Sequence, residues 1–229
     1  MAKGQQETLG VGIDCGTMNI VSARKVGDKV ETKRIRDAFL ELPRDSKKML
    51  KLSGVSYVER GEELLILGDP ALDTANIFGR EVRRPLSAGL VSSSDIDAME
   101  VLGLLIKNVL GEPKSPKEVC YFSVPAAPVD RPGQDVIYHR GVLGKIIAEC
   151  GYTPMAGNEA MAIIYAETAK EGFSGVGISF GSGMTNVAVS LNTIEAMSFS
   201  VARGGDWIDA GAAKSIGGTQ NDIASMVFN

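Results

Sequence analysis

The chain has 229 residues, enough for one large domain or two smaller ones without disulfide support, and its 44% apolar and 23% charged residues are ordinary globular usage. A net charge of −4 and a pI near 5.2 give no electrostatic reason to expect nucleic acid, which needs a basic face; the basic runs KKMLK and GREVRR read as solvated surface. No stretch approaches the roughly 20 apolar residues of a membrane-spanning helix, and the polar start MAKGQQETLG shows no secretory signal. The expectation is a cytoplasmic protein that meets membranes only through partners.

Residues 9–14 (LGVGID) and 20–26 (NIVSARK) read as strands joined by a short Gly-containing turn, and VETKRIR reads as a third strand of an antiparallel meander. Segment 36–52 has no clear periodicity. Residues 53–68 carry two short strands that lead through Gly68 into a helix, DPALDTANIFG, with Asp69 at its cap and Pro70 in its first turn. In SSSDIDAMEVLGLLIKNVLG, apolar Ile96, Met99, Leu102, Leu105, Ile106 and Val109 recur at three-to-four spacing and stop at Gly111, which predicts an amphipathic helix. EVCYFSVPA reads as a strand, QDVIYHRGVLGKIIAECG as a second helix ended by Gly151, and NEAMAIIYAETAKEG as a third. From residue 175, GVGISF, MTNVAVSL and IEAMSFSVA form another meander, and a duplicated meander-plus-helix unit predicts a two-lobed α/β architecture.

Cys15, Cys120 and Cys150 have no CxxC spacing and read as buried small apolar residues rather than a disulfide or zinc set. The one histidine, His139, has no partner at ligand spacing and is expected in a surface or capping role. The two Gly-rich turns carry more chemistry. Gly16 with Thr17, and Gly181 with Gly183, let backbone N–H groups approach phosphate oxygens, and Thr17, Ser182 and Thr185 add hydroxyls. Asp14, ending the strand before the first turn, offers the carboxylate that a hydrated Mg²⁺ prefers. Either turn alone reads more readily as an ordinary hairpin whose glycine supplies a positive φ.

As a pair, the turns resemble the phosphate motifs of the actin, Hsp70 and sugar-kinase superfamily, most closely MreB-like bacterial actin homologues. GIDCGTMN is similar to that family's GIDLGTANT, and GISFGSGMTNVAV to its VVDIGGGTTEVAV. The stretch from ILGDPALD to DAMEVL, SVPAAPVD, NEAMAIIYAE and ARGGDWID resemble further family elements in matching order, from about residue 9 to 210. The resemblance implies an actin-like ATPase fold of the ribonuclease H-like kind, with a first lobe at 1–125 containing a small insert at about 36–85. A second lobe would begin at 126–229 and lack its C-terminal part. It implies ATP or ADP with Mg²⁺ in the cleft: Asp14, Gly16, Thr17, Met18 and Asn19 on one side of the phosphates, Gly181, Ser182, Gly183, Met184 and Thr185 on the other, and Gly204, Gly205 and Asp206 toward the ribose. It also implies nucleotide-dependent self-association into filaments, with an Hsp70-like chaperone ATPase or a non-hydrolysing adaptor of the same fold as alternatives.

Two departures bear on hydrolysis. Where the second family motif has Asp, this chain has Ser179, which removes a carboxylate and predicts that Ser179→Asp raises phosphate release. The water-orienting residue expected after the VP element is ambiguous. Gln134 and Asp135 begin a helix and are candidates, although an Asp there also simply complements the helix dipole, and Glu159 aligns with a family acid that is equally a first-turn carboxylate. The family's Gly-rich adenosine motif has no counterpart before Asn229, so either a fragment or a natural truncation is expected.

Overall fold

The computed structural model describes residues 10–92, 95–133 and 136–218. Strands β1 (Val11–Cys15), β2 (Asn19–Val26) and β3 (Lys29–Arg36) form the first meander. Segment 36–52 resolves into β4 (Phe39–Pro43) and a short helix, α1 (Lys47–Ser53); β5 (Val58–Arg60), β6 (Glu63–Leu67) and α2 (Asp69–Phe78) follow. The cap of α2 is Gly68, at φ +75°, and Asp69 is its first helical residue, where it still complements the dipole. A two-plus-two-residue hairpin comes next, β7 (Leu86–Ser87) and β8 (Leu90–Val91), which has no periodic signature because it is too short for one.

Helix α3 (Ala98–Leu110) buries Val101, Leu102, Leu105, Ile106 and Val109, but Ile96 lies in the turn before it and is 97% exposed. Strand β9 (Val119–Val124), α4 (Val136–Glu149) and β10 (Thr153–Asn158) form a strand–helix–strand unit with both strands parallel, giving a five-stranded sheet of order β10-β9-β1-β2-β3. β10, TPMAGN, has neither β-branched residues in alternation nor an apolar run, and its pairing with β9 makes it a strand. Inward residues Val11, Ile13, Ile20, Cys120 and Phe122 meet α3 and α4 in the main core. β4 and β6 wall off a second core: Phe39 and Leu65 point into the first, while Leu40, Leu42, Leu64 and Ile66 pack with α1 and α2. Arg60 and Arg83 share Glu41, at 2.6 and 2.7 Å, and both reach Asp97, which ties this insert to the start of α3.

Helix α5 (Glu159–Glu167) follows β10 directly, capped by the Asn158 side chain accepting from Met161 N–H at 3.0 Å. It lies on a second meander, β11 (Gly175–Phe180), β12 (Thr185–Leu191) and β13 (Ile194–Val201), which leads to α6 (Gly205–Ile216). The contact is backbone against backbone. A Cβ on Gly177 would lie 2.2 Å from the Ala160 carbonyl oxygen, so only glycine lets α5 approach this sheet. The opposite sheet face leaves Val176, Ile178 and Phe180 more than half exposed. Among the described residues no helix is long and apolar enough to cross a membrane.

Two titratable groups are buried behind the 86–91 hairpin. Asp37 is fully buried; one carboxyl oxygen accepts from Leu86 N–H at 3.1 Å and the other has no hydrogen-bond partner. Burial pushes its pKa up to about 8, against the weaker pull of the Leu86 amide and Arg84. His139 corrects the expected surface role: it is 1% exposed, its Nδ1 accepts from Val91 N–H at 3.1 Å, and burial pushes its pKa down to about 4, so it is neutral.

Gly177→Ala forces α5 off the second meander and destabilises the chain by about 1–3 kcal/mol in denaturant unfolding. A second expectation follows from Asp37, whose folded pKa lies above the value of about 3.9 it has when unfolded. The folded chain keeps a proton that the unfolded chain releases, so this group's stabilisation is present at low pH and lost as pH rises from about 4 to 8. Asp37→Asn therefore gains stability over wild type by up to ~1.4 kcal/mol per pH unit across that window, read by urea unfolding at its two ends. His139 acts with the opposite sign, its contribution falling as pH drops from about 6.5 to 4.

Candidate functional site

The ends of β1 and β11 open into one cleft of about 520 Å³. Each leads into a turn closed by the same hydrogen bond: Gly16 N–H to the Asn19 carbonyl at 3.0 Å, and Gly181 N–H to the Met184 carbonyl at 2.9 Å. One constant shift in residue number carries Asp14, Gly16, Asn19 and Val21 onto Ser179, Gly181, Met184 and Asn186. The strand registers obey it, with Asp14 opposite Val21 and Ser179 opposite Asn186.

The turns meet through the 86–91 hairpin. Gly89 N–H donates to Thr17 Oγ1 at 3.0 Å, and a Cβ on Gly183 would lie 2.3 Å from Gly89 N and 2.4 Å from Thr17 Oγ1. Gly89 has φ +80°, and a Cβ there would strike the Met184 side chain at 2.5 Å. Helix α6 starts against the second turn: Gly205 and Asp206 N–H groups donate to the Gly181 and Ser182 carbonyls at 3.0 and 2.9 Å. A Cβ on Gly204 would lie 2.4 Å from both of those oxygens.

Two carboxylates line the cleft. Asp14 accepts from the Ser123 hydroxyl, and burial raises its pKa. Glu159, the first residue of α5, accepts from the Ser179 hydroxyl on Oε1 and from Asn186 Nδ2 at 3.0 Å on Oε2. Burial raises its pKa as well, with the Asp14 charge adding to it and the Ser179 and Asn186 bonds opposing. Three residues of the cleft wall each have a side-chain oxygen buried without a hydrogen-bond partner: Asn19 Oδ1, Ser182 Oγ and Asn186 Oδ1. Buried polar groups are normally satisfied, so these atoms fit a polar ligand or its bound waters. Among the described residues no three His, Cys, Asp or Glu side chains converge to hold a bare metal ion. Two facing carboxylates instead suit a Mg²⁺ that keeps its waters and shares phosphate oxygens.

Of the residues singled out in the sequence for the site, Asp14, Gly16, Thr17, Met18, Asn19, Glu159, Ser179, Gly181, Ser182, Gly183, Met184 and Gly205 line this cleft. Thr17 is buried, its oxygen engaged by Gly89, so its hydroxyl belongs to the junction between turns. Thr185 Oγ1 donates to the Arg203 carbonyl at 2.8 Å, and the Asp206 carboxylate pairs with Arg84 at 3.0 Å; Gly204 packs beneath the second turn. Gln134 and Asp135 lie outside the described residues. Ser123, Asn186, Gly89 and His139 also line the cleft and were not foreseen. Only Asn186 left a trace, as an amide directly before the apolar run VAV of its strand.

No curated protein matches the chain in sequence. In structure it is similar to the MamK double helical filament, with 19% identity, a TM-score of 0.65, and 90% of this chain and 57% of that one covered. It is likewise similar to MreB5 of Spiroplasma citri bound to ADP (19% identity, TM-score 0.60, 90% and 55% covered) and to AMPPNP (18%, 0.62, 90% and 56%). The chain thus spans little more than half the length of these proteins, and what it shares with them is the actin-like ATPase fold expected from the paired turns. The sequence itself matches the Volactin family over residues 9–228, and the chain therefore belongs to that family.

Proposed function

We propose that the chain binds the phosphates of ATP or ADP, with Mg²⁺, between its two turns, as part of an actin-like cytoskeletal ATPase that acts in the cytoplasm and assembles with copies of itself. The observation that carries this reading is the pair of like-built turns facing one cleft beside Asp14 and Glu159, with Ser182 Oγ, Asn19 Oδ1 and Asn186 Oδ1 unpartnered. The turn amides and the Ser182 hydroxyl are donors for phosphate oxygens. Asp14, Glu159 and the two Asn carbonyls are acceptors for waters on the cation, whose charge would neutralise the phosphates. Solved MreB5 structures hold ADP and AMPPNP, and the MamK structure is a double helical filament, which supports the nucleotide and self-association parts of the reading. Lobe boundaries near residue 125, with the insert at about 36–85, complete it.

A non-hydrolysing adaptor is the second reading, favoured by Ser179 where the family motif has Asp. It shares the phosphate site and differs in turnover alone.

Mg²⁺·tripolyphosphate, which has no base or ribose, competes with a fluorescent ATP analogue for the wild-type chain. Gly183→Ala separates the turns and weakens both ligands at least about tenfold, some 1.4 kcal/mol, in equilibrium titration. A folded wild-type chain that binds neither ligand would refute the reading. If filaments form, sedimentation with ATP pellets more protein than without nucleotide, and equal pellets under both conditions count against nucleotide-dependent assembly.

A further inference from the structure

Ser179 stands where the resembling motif carries an acid, yet the structure does not leave that place without a carboxylate. Ser179 and Asn186 are cross-strand partners on β11 and β12, so their side chains lie side by side. Each donates to a different oxygen of Glu159, the hydroxyl to Oε1 and the amide to Oε2. Asn186 is a residue of the cleft wall, is 2% exposed, and has its own Oδ1 buried without a hydrogen-bond partner. The backbone of Glu159 is equally constrained, by the Asn158 cap on one side and by the close approach of Ala160 to Gly177 on the other.

In the first hairpin the equivalent pair is Asp14 and Val21, an acid opposite an apolar residue, and the acid is held by a hydroxyl from β9, Ser123. The second hairpin inverts this arrangement. There the strand supplies the hydroxyl and the amide, and the neighbouring helix supplies the acid.

We propose that Ser179 and Asn186 are positioning residues that hold Glu159 as the second carboxylate of the cleft, so that position 179, having no acid of its own, acts through the acid of α5. This rests on the nucleotide-phosphate reading above. With a nucleoside triphosphate bound, Glu159 faces the terminal phosphate with both oxygens held by Ser179 and Asn186, and it accepts from the attacking water. In hydrolysis the water oxygen bonds to the terminal phosphorus while the bond from that phosphorus to the bridging oxygen breaks. The electron pair leaves on the diphosphate, and the water proton passes to Glu159 and then to the released phosphate. The sequence expectation for Ser179→Asp is reversed: Asp removes a donor from Glu159 and sets a second negative charge against it.

The test compares wild type with S179A, S179T, S179D, E159Q and S179D/E159Q. Single-turnover phosphate release is measured at saturating Mg²⁺·ATP, nucleotide affinity with AMPPNP, and a stability cycle between S179A and E159Q without nucleotide. Release falls about tenfold in S179A, the worth of one hydrogen bond to a charged group, and S179T restores it. S179D falls at least as far as S179A, and S179D/E159Q, which exchanges acid and neutral partner, recovers most of the loss. The stability cycle gives a coupling beyond additivity, which shows that the Ser179–Glu159 bond exists in the free chain. Release by S179D that equals or exceeds wild type, S179A release equal to wild type, or no recovery in the double variant each overturns the proposal while the nucleotide reading stands. Absence of AMPPNP binding by wild type overturns the nucleotide reading and this proposal with it.

Discussion

Between Gly183, Gly89 and Thr17 there is no room for a side chain, and this backbone contact governs the shape of the cleft. A Cβ at Gly183 would overlap both Gly89 N and Thr17 Oγ1, and one at Gly89 would run into Met184. The two turns approach closely only because glycine occupies each of these positions. The hydrogen bond from Gly89 to Thr17 then satisfies an amide that the contact would otherwise leave unpaired. Glycine here costs backbone entropy on folding, and in return gives three loops one fixed relation.

The 86–91 hairpin that makes this contact is too short to hold itself. Its two strands exchange only Leu86 with Val91 and Ser87 with Leu90, so its remaining amides take partners elsewhere: Leu86 from Asp37, Gly89 from Thr17, and Val91 from His139. Two of these three anchors are ionisable groups buried in their neutral forms, which lets them meet backbone amides without an unpaired buried charge. Arg84, at the base of the same segment, reaches Asp206 on α6. The hairpin thus touches the first turn, the second turn and the helix behind it.

Charge in the cleft is arranged with similar economy. Asp14 comes from a strand and Glu159 from the first turn of α5, each raised in pKa by burial and each held by a serine hydroxyl. Two carboxylates with so few donors around them favour a site completed by a cation, and the unpartnered oxygens of Asn19 and Asn186 point the same way.

Much of the fold was legible in the chain because it is local. The apolar spacing of residues 99–109, the two meanders and their glycine turns, and the order of helices follow from periodicity and turn chemistry, which depend on a few neighbouring residues. The resemblance of the paired turns then pointed to the actin-like fold that the structural comparisons show. What the sequence did not disclose depends on contacts distant in the chain. TPMAGN is a strand because β9 offers it a parallel edge, and His139 is buried because α4 lies over β8. Ser179 read as a loss because its partner is twenty residues earlier on another element, and only the packing of α5 across Gly177 brings Glu159 to it. Residue types and local periods set the elements and the glycines that allow close approach; which side chains meet in the cleft was decided by tertiary packing, since hydrogen bonds between distant elements leave no period in the sequence.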